Sequence, residues 1–206
     1  MQDGFSEAAR QFYEWLTIEL APTICGSKPS TILSLVDTPF QALFTQWQIY
    51  GLEFLRQEKV RFLVLRQTKQ RHTVLFYRPD VLEKCLKDDE HRFFLESLGY
   101  PVEAGIHACL NLLKERFQYA CPHELGLLLG IPLKDVLGFM GMSSLPLTCR
   151  KEWCVYGNPD ESLARMERFM QDRCEVAAFL AAGISCYEIL SGVVVQPQRN
   201  LAVSVA

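Results

Sequence analysis

Hydrophobic residues recur along this chain at two spacings, one typical of helices and one typical of strands. The helical spacing predicts a first helix over residues 5–20 and a second from Phe40 to Leu55. Residues 21–30 contain two prolines and a glycine, and they are predicted to form a loop after the first helix.

Strand-like runs occupy residues 31–36, 60–66, 72–77 and 153–156. The second and third runs are separated by a short polar turn and are predicted to pair as a hairpin. Both carry apolar residues on both faces at their centres, so we expect a sheet that is covered on each side.

The remaining pattern is helical. Short helical pieces are predicted within residues 80–142, where glycine and proline interrupt the spacing. A longer helix is predicted to begin at residues 158–160, because Asn-Pro-Asp supplies a cap followed by proline in the first turn. The apolar stripe of this helix is predicted to contain Leu163, Met166, Met170, Cys174, Ala177 and Ala181.

These elements predict one α+β domain over residues 1–190, with a small sheet of about four strands and a majority of helices. Residues 191–206 are left as a C-terminal tail without an assigned structure. The chain has 206 residues, of which 49% are hydrophobic and 22% are charged, and this balance excludes a disordered or fibrous protein.

Charge and cysteine content indicate which partners and which cellular location are expected. The net charge of -3 argues against a dedicated binder of nucleic acid or of anionic membranes. The acidic N-terminus does not resemble a signal peptide and no apolar run is long enough to span a bilayer, so a cytoplasmic location is predicted. The eight cysteines include no Cys-x-x-Cys pair and are predicted to be free rather than paired in disulfides.

Residues 122–142 have the spacing of a helix-turn-helix, with Gly126 at the crossing and Gly130 at the turn. The second helix of this segment offers no arginine, asparagine or glutamine to read base edges, and only Lys134 could neutralise a phosphate. A structural helical corner is therefore favoured, and DNA binding through 122–142 is kept as a third alternative.

His123 and Glu124 are predicted to open a helix that starts at Pro122. The favoured role of Glu124 is to cap the first amides of that helix. The alternative is a reactive role, in which a neutral His123 imidazole at the helix N-terminus acts as a base or a ligand. A zinc site formed with His107 and Cys109 is not expected, since residues two apart point to different sides of a helix.

The loop over residues 23–30 combines hydroxyl groups, Gly26 and Lys28. Such a loop can hold an anion through its backbone amides, with the lysine as counter-charge. The alternative is an ordinary connection whose lysine is solvated, and this reading is favoured because the strand and helix order of a phosphate-binding loop is absent.

Three motifs together resemble a known family. They are Ala-Pro-Thr at residues 21–23 with Gly-x-Lys-Pro at 26–29, Pro-His-Glu-Leu-Gly at 122–126 with Gly-x-Pro at 130–132 and Asp-Val at 135–136, and Trp-x-Val-Tyr-Gly at 153–157. In this order they resemble a domain-of-unknown-function family of small cytosolic proteins from anaerobic bacteria. The resemblance implies no assigned activity or cofactor. The chain departs from the pattern by carrying cysteine at positions 25, 121 and 154.

Two classes of function are left open beside DNA binding. The favoured class is a non-catalytic module that binds a small molecule or a protein partner, because no complete catalytic set of residues is visible. The alternative is an enzyme or an anion-binding site built on His123, Glu124 and Lys28. No metal site is predicted, and the cofactor is unknown. The candidate ligand-binding residues are Thr23, Lys28, His123, Glu124 and Tyr156.

Overall fold

The computed structural model describes residues 6–54 and 59–191 and has an α+β fold. The predicted helix start at Phe5, the predicted helix end at Leu55 and all of the predicted tail except Ser191 lie outside the described residues. The elements are α1 (Glu7–Glu19), α2 (Ala21–Cys25), β1 (Ser30–Val36), α3 (Leu43–Phe54), β2 (Arg61–Gln67), β3 (Arg71–Tyr77), α4 (Pro79–Lys87), α5 (Asp89–Ser97), a 3-10 turn (Val102–Ala104), α6 (Ile106–Phe117), α7 (Leu125–Leu128), α8 (Leu133–Phe139), β4 (Leu147–Arg150), β5 (Cys154–Tyr156), α9 (Asp160–Ala181) and α10 (Cys186–Ser191).

The main sheet has three strands in the order β1-β3-β2, and both pairings are antiparallel. The predicted hairpin of β2 and β3 is confirmed. Along β3, Val74 and Phe76 point into one hydrophobic core and Leu75 and Tyr77 into another, and Val74, Leu75 and Phe76 are fully buried. The sheet is therefore covered on both faces, as its apolar pattern predicted.

The predicted sheet of about four strands is wrong in one respect. The run at 153–156 belongs to a separate two-stranded ribbon, in which β5 pairs with β4. Strand β4 was not predicted because it follows Pro146, is only four residues long and lies mostly exposed, so it lacks an alternating apolar pattern. We refer to β4 and β5 together as the ribbon.

The predicted loop over residues 21–30 contains a second helix. Helix α2 starts at Ala21, directly after the end of α1, and Pro22 lies in its first turn, where a missing amide hydrogen costs nothing. Gly26 ends α2 in the left-handed conformation, with φ of 81°. Proline at this position starts a helix instead of a loop.

Helix α3 begins at Leu43, three residues later than predicted. Asp37 fixes this start, because its carboxylate accepts hydrogen bonds from the amides of Phe44 at 2.8 Å and Thr45 at 3.1 Å. Phe40 precedes the helix and is 94% exposed.

Helix α9 starts as predicted, and the Asn158 side chain accepts a hydrogen bond from the amide of Asp160. The predicted apolar stripe is correct at Met166, which is buried, and wrong at Met170 and Cys174, which are exposed. The polar Ser162 and Asp172 are fully buried instead. The helix therefore packs against its neighbours partly through polar contacts. No helix in the described part of the chain is both long and apolar enough to cross a membrane.

Candidate functional site

The three motif segments of the sequence converge beside the middle of α9. Gly130 lies at this junction with φ of 80°, and a Cβ atom there would lie 3.1 Å from Pro29 Cδ and 3.3 Å from Phe169 Cζ. A larger residue would be strained in this backbone conformation and would push the loop of Lys28 away from α9. The first and second motifs therefore meet through glycine.

The second and third motifs are joined by the carboxylate of Asp135, which is 1% exposed. One oxygen accepts from Lys134 Nζ at 2.7 Å and from the amide of Tyr156 at 2.8 Å. The other accepts from Trp153 Nε1 at 2.9 Å and from Ser162 Oγ at 2.6 Å. This group connects α8, β5 and α9, and we call it the Asp135 network.

Burial alone would raise the pKa of Asp135, but its hydrogen bonds reverse the shift. Lys134 and Ser162 contribute most, with the amide of Tyr156 and the indole of Trp153, and the pKa of the carboxyl lies below its usual value. The carboxylate is therefore charged at neutral pH and fully hydrogen-bonded, which is the signature of a structural group.

The predicted capping role of Glu124 is wrong. Helix α7 begins at Leu125 instead of Pro122, and no side chain caps its first amides. The Glu124 carboxylate is buried and instead accepts hydrogen bonds from Arg116 Nη1 at 2.6 Å and Tyr100 Oη at 3.0 Å. Arg116 also lies over the Tyr100 ring, with its guanidinium carbon 5.1 Å from the centroid.

This group ties α6 and the segment before the 3-10 turn to the start of α7. Burial raises the pKa of Tyr100, and the neighbouring Glu124 carboxylate raises it further, so the phenol stays protonated and donates. A helix cap was predicted from local sequence, whereas the partners of Glu124 lie 8 and 24 residues away in the chain.

His123 is exposed and packs edge-on against Phe139, with ring centroids 4.9 Å apart. Because α7 starts at Leu125, two residues after His123, His123 does not belong to the first turn of a helix. Phe139 is itself 54% exposed, so both rings lie at the surface at the end of α8.

The anion-binding loop that the sequence left as the less favoured alternative is not formed. The amides of Ser27 and Lys28 both donate to the carbonyl of Pro22, and the amide of Gly26 donates to the carbonyl of Thr23. These hydrogen bonds satisfy the C-terminal carbonyls of α2, so the amides are not directed at a ligand.

Lys28 itself lies partly buried between α9 and the turn at Gly130. Its Nζ atom is 5.3 Å from the centroid of the Phe169 ring, and Phe169 in turn packs against Trp153. Burial lowers the pKa of Lys28 to about 8; repulsion from Arg173 adds to this shift, and Glu152 and Glu19 oppose it.

The other two candidates have structural contacts. Thr23 is fully buried and its hydroxyl lies 2.8 Å from that of Thr31. The Tyr156 ring lies against Gly138, where a Cβ atom would be only 2.3 Å from the ring. Gly138 therefore allows β5 to pack closely on α8.

The described contacts do not bring the five candidates together. No hydrogen bond, ion pair or ring contact within residues 6–54 and 59–191 joins any two of them. Four residues at this junction were not among the predicted candidates: Asp135, Ser162, Phe169 and Arg173. Asp135 belongs to the second motif, and Phe169 lies at helical spacing between the buried Met166 and Val176. The buried Ser162 is polar, so apolar spacing did not indicate it.

The helical corner at residues 122–142 has the geometry that its glycines suggested. A Cβ atom at Gly126 would lie 3.2 Å from Val136 and 3.4 Å from Ile131, so the absence of a side chain lets α7 approach α8. Lys134, the one cation considered for DNA, donates to Asp135, to Ser162 Oγ and to the carbonyl of Tyr156. Its ammonium group is therefore occupied within the protein.

The eight cysteines are all free. His107 is exposed whereas Cys109 is buried, so the two face opposite sides of α6, as their spacing predicted. Within the described ranges, no three side chains of histidine, cysteine, aspartate or glutamate are placed to hold a metal ion.

A fold of helices around a three-stranded sheet, with a separate ribbon held by the Asp135 network, defines an α+β protein without a recognisable catalytic centre in its described part. The chain belongs to DUF3793, a family of proteins of unknown function, whose model matches residues 16–190. No curated protein and no solved structure gives a significant match to the chain.

Proposed function

We propose that this protein is a non-catalytic binding module, and that it binds a protein partner by adding an extended segment to the outer edge of β4. The single observation that supports this most is the asymmetry of the ribbon. One of its two edges is closed by side chains of α8, and the other has no strand beside it in the described part of the chain.

The closed edge is that of β5. The amide of Tyr156 donates to Asp135, and its carbonyl accepts from Lys134 Nζ at 3.0 Å. Tyr156 is the partner of Leu147 in β4. The carbonyl of Pro146 accepts a hydrogen bond from the amide of Gly157 at 2.9 Å, so the Leu147 amide, on the other side of the same trans peptide, points away from β5. The register then shifts between Leu147 and Cys149. Leu147 thus presents its amide at the open edge.

Exposed apolar side chains precede and begin this strand. Phe139, Met142, Leu145 and Leu147 are between 41% and 54% exposed and follow one another in the stretch that leads from α8 into β4. We call these four residues the apolar border. A strand added to β4 would place alternate side chains against it, which is how domains that bind extended peptides obtain specificity.

Charge indicates the chemistry of the partner. Arg150 and Lys151, at the far end of β4, are exposed, and neither forms an ion pair with a described residue. The partner is therefore an extended segment that is apolar at alternate positions beside Leu147 and acidic where it passes these two cations.

Leu147→Pro tests this proposal, since proline removes the outward amide without removing a β4–β5 hydrogen bond. The probe is a labelled peptide of alternating valine and threonine that ends in two glutamates. We expect it to bind the native protein and to bind Leu147→Pro about tenfold more weakly, because one exposed hydrogen bond is lost. Fluorescence anisotropy measures both affinities.

Leu147→Val is the matched control, because it keeps the amide and an apolar side chain and should bind like the native protein. Circular dichroism checks that both variants remain folded. Failure of the peptide to bind the native protein, or equal binding by Leu147→Pro, contradicts the proposal. A dimer that Leu147→Pro dissociates would identify a second copy of the chain as the occupant and would also contradict it.

We also propose that the module acts in the cytoplasm of an anaerobic bacterium and does not bind nucleic acid. Eight free thiols are typical of a reducing compartment and support the location. The occupied ammonium of Lys134 and the net charge of -3 support the absence of DNA binding.

A gel-shift assay at low salt is expected to show no complex between the protein and a mixed-sequence DNA duplex. Low salt favours nonspecific phosphate contacts, so it is the most permissive condition for such binding. A complex that Lys134→Ala weakens would contradict this expectation and restore the helix-turn-helix hypothesis.

A further inference from the structure

The amine of Lys28 lies in a setting that differs from that of Lys134. Lys134 donates three hydrogen bonds and pairs with Asp135. Lys28 forms no hydrogen bond and no ion pair with any residue in the ranges 6–54 and 59–191, and its described contact is the face of Phe169. It is therefore a partly buried amine without a bound carboxylate.

A second cation lies beside this amine. Arg173 lies one helical turn after Phe169 on α9, so it is on the same side of the helix as the ring that Lys28 contacts. The carboxylate partner of Arg173 is Glu152, at a long distance of 3.8 Å and with an exposed side chain. Arg173 is thus held loosely and can pair with an incoming anion.

From this placement we propose that Lys28 is a carbonyl-reactive amine, and that its ligand is a small aldehyde or ketone carrying a carboxylate. Arg173 pairs with the carboxylate, and Lys28 Nζ attacks the carbonyl carbon beside it. The Phe169 ring forms the apolar wall of the site and limits access of water to the amine.

The reaction is a condensation that needs no oxidant or reductant. The lone pair of the neutral amine forms a bond to the carbonyl carbon, and the carbonyl oxygen leaves as water after accepting the two protons of the nitrogen. An imine joins Lys28 to the ligand. Burial, with a smaller contribution from Arg173, lowers the pKa of Lys28 and favours the neutral amine, while Glu152 and Glu19 oppose this shift.

The test uses glyoxylate as the carboxylate-bearing aldehyde and formaldehyde as the neutral one, each at a limiting concentration with cyanoborohydride to trap the imine. Peptide mapping by mass spectrometry measures the adduct at each lysine. We expect glyoxylate to modify Lys28 several-fold faster than the exposed Lys114, because Arg173 pairs with its carboxylate only at Lys28.

Arg173→Gln separates anion recognition from amine reactivity. In this variant the ratio of glyoxylate to formaldehyde adducts at Lys28 should fall to the ratio seen at Lys114. Loss of the guanidinium also removes its repulsion of the ammonium, but this change affects the reactions with both aldehydes and so leaves their ratio unchanged. Modification of Lys28 no faster than Lys114, or an unchanged ratio in Arg173→Gln, overturns the proposal. Because peptide binding at β4 plays no part in this readout, the two proposals fail independently.

Discussion

Replacement of Asp135 by alanine is expected to lower the free energy of unfolding by about 3–5 kcal/mol. The carboxylate accepts four hydrogen bonds and neutralises Lys134, so its removal leaves the partly buried ammonium without a counter-charge and the Trp153 indole without its acceptor. Urea denaturation followed by circular dichroism measures the loss. Trp153 fluorescence should shift in the folded variant, because Nε1 no longer donates to a carboxylate.

Two further variants serve as comparisons for Asp135→Ala. Asp135→Asn keeps the shape and one acceptor oxygen, and should lose less stability than the alanine variant. Asp89→Ala removes an aspartate that is exposed on α5 and should change stability by less than about 0.5 kcal/mol. A loss below about 1 kcal/mol for Asp135→Ala would show that the network is not a structural junction.

The lowered pKa of Asp135 gives this stabilisation a pH dependence. The folded-state pKa lies below the unfolded-state value, so the contribution is fully present above the unfolded pKa and is lost as the pH falls through the folded one. The difference in stability between the native protein and Asp135→Ala should therefore narrow in acid.

Replacement of Lys28 by methionine is expected to raise the free energy of unfolding at pH 7 by about 1–3 kcal/mol. Burial lowers the pKa of Lys28 to about 8, whereas the unfolded chain holds the proton up to a pKa near 10.5. The charged form is thus less stable in the folded protein, by roughly 3 kcal/mol at most. Methionine fills the same volume, carries no charge and packs well against the Phe169 ring.

The sign of the pH effect follows from the same values. Between about pH 8 and 10.5 the unfolded state binds more protons at this position, so native stability rises with pH there and the advantage of Lys28→Met shrinks. Lys114→Met, at an exposed position, should show neither effect. Equal stability of Lys28→Met and the native protein from pH 7 to pH 10 would mean that Lys28 is fully solvated.

The sequence predicted those parts of the fold that depend on local apolar periodicity. The β2–β3 hairpin and the coverage of its two faces follow from apolar residues that alternate and then run continuously, as at Val74, Leu75 and Phe76. The start of α9 follows from the cap at Asn158. Strand β4 could not be predicted in this way, because it has no buried face of its own and is held only by pairing with β5.

The candidate site was predicted less well, because its polar residues act through partners that are distant in the chain. Glu124 has the local sequence of a helix cap, yet Arg116 and the buried Tyr100 bind its carboxylate. Lys28 has the local sequence of a solvated loop, and only the passage of α9 over that loop places its amine on Phe169. Side-chain environment of this kind is set by tertiary packing and has no periodic signal.

The contact of Lys134 and Asp135 with the backbone of Tyr156 also limits how far association through the ribbon can extend. A sheet that is open on two sides can grow into a filament, since each added strand offers a new site and the far side accepts another. Here growth on the β5 side would require a strand to displace a charged pair. If a strand binds the ribbon as proposed, it can do so at the β4 edge only, and this restriction would oppose polymerisation of the protein at high concentration.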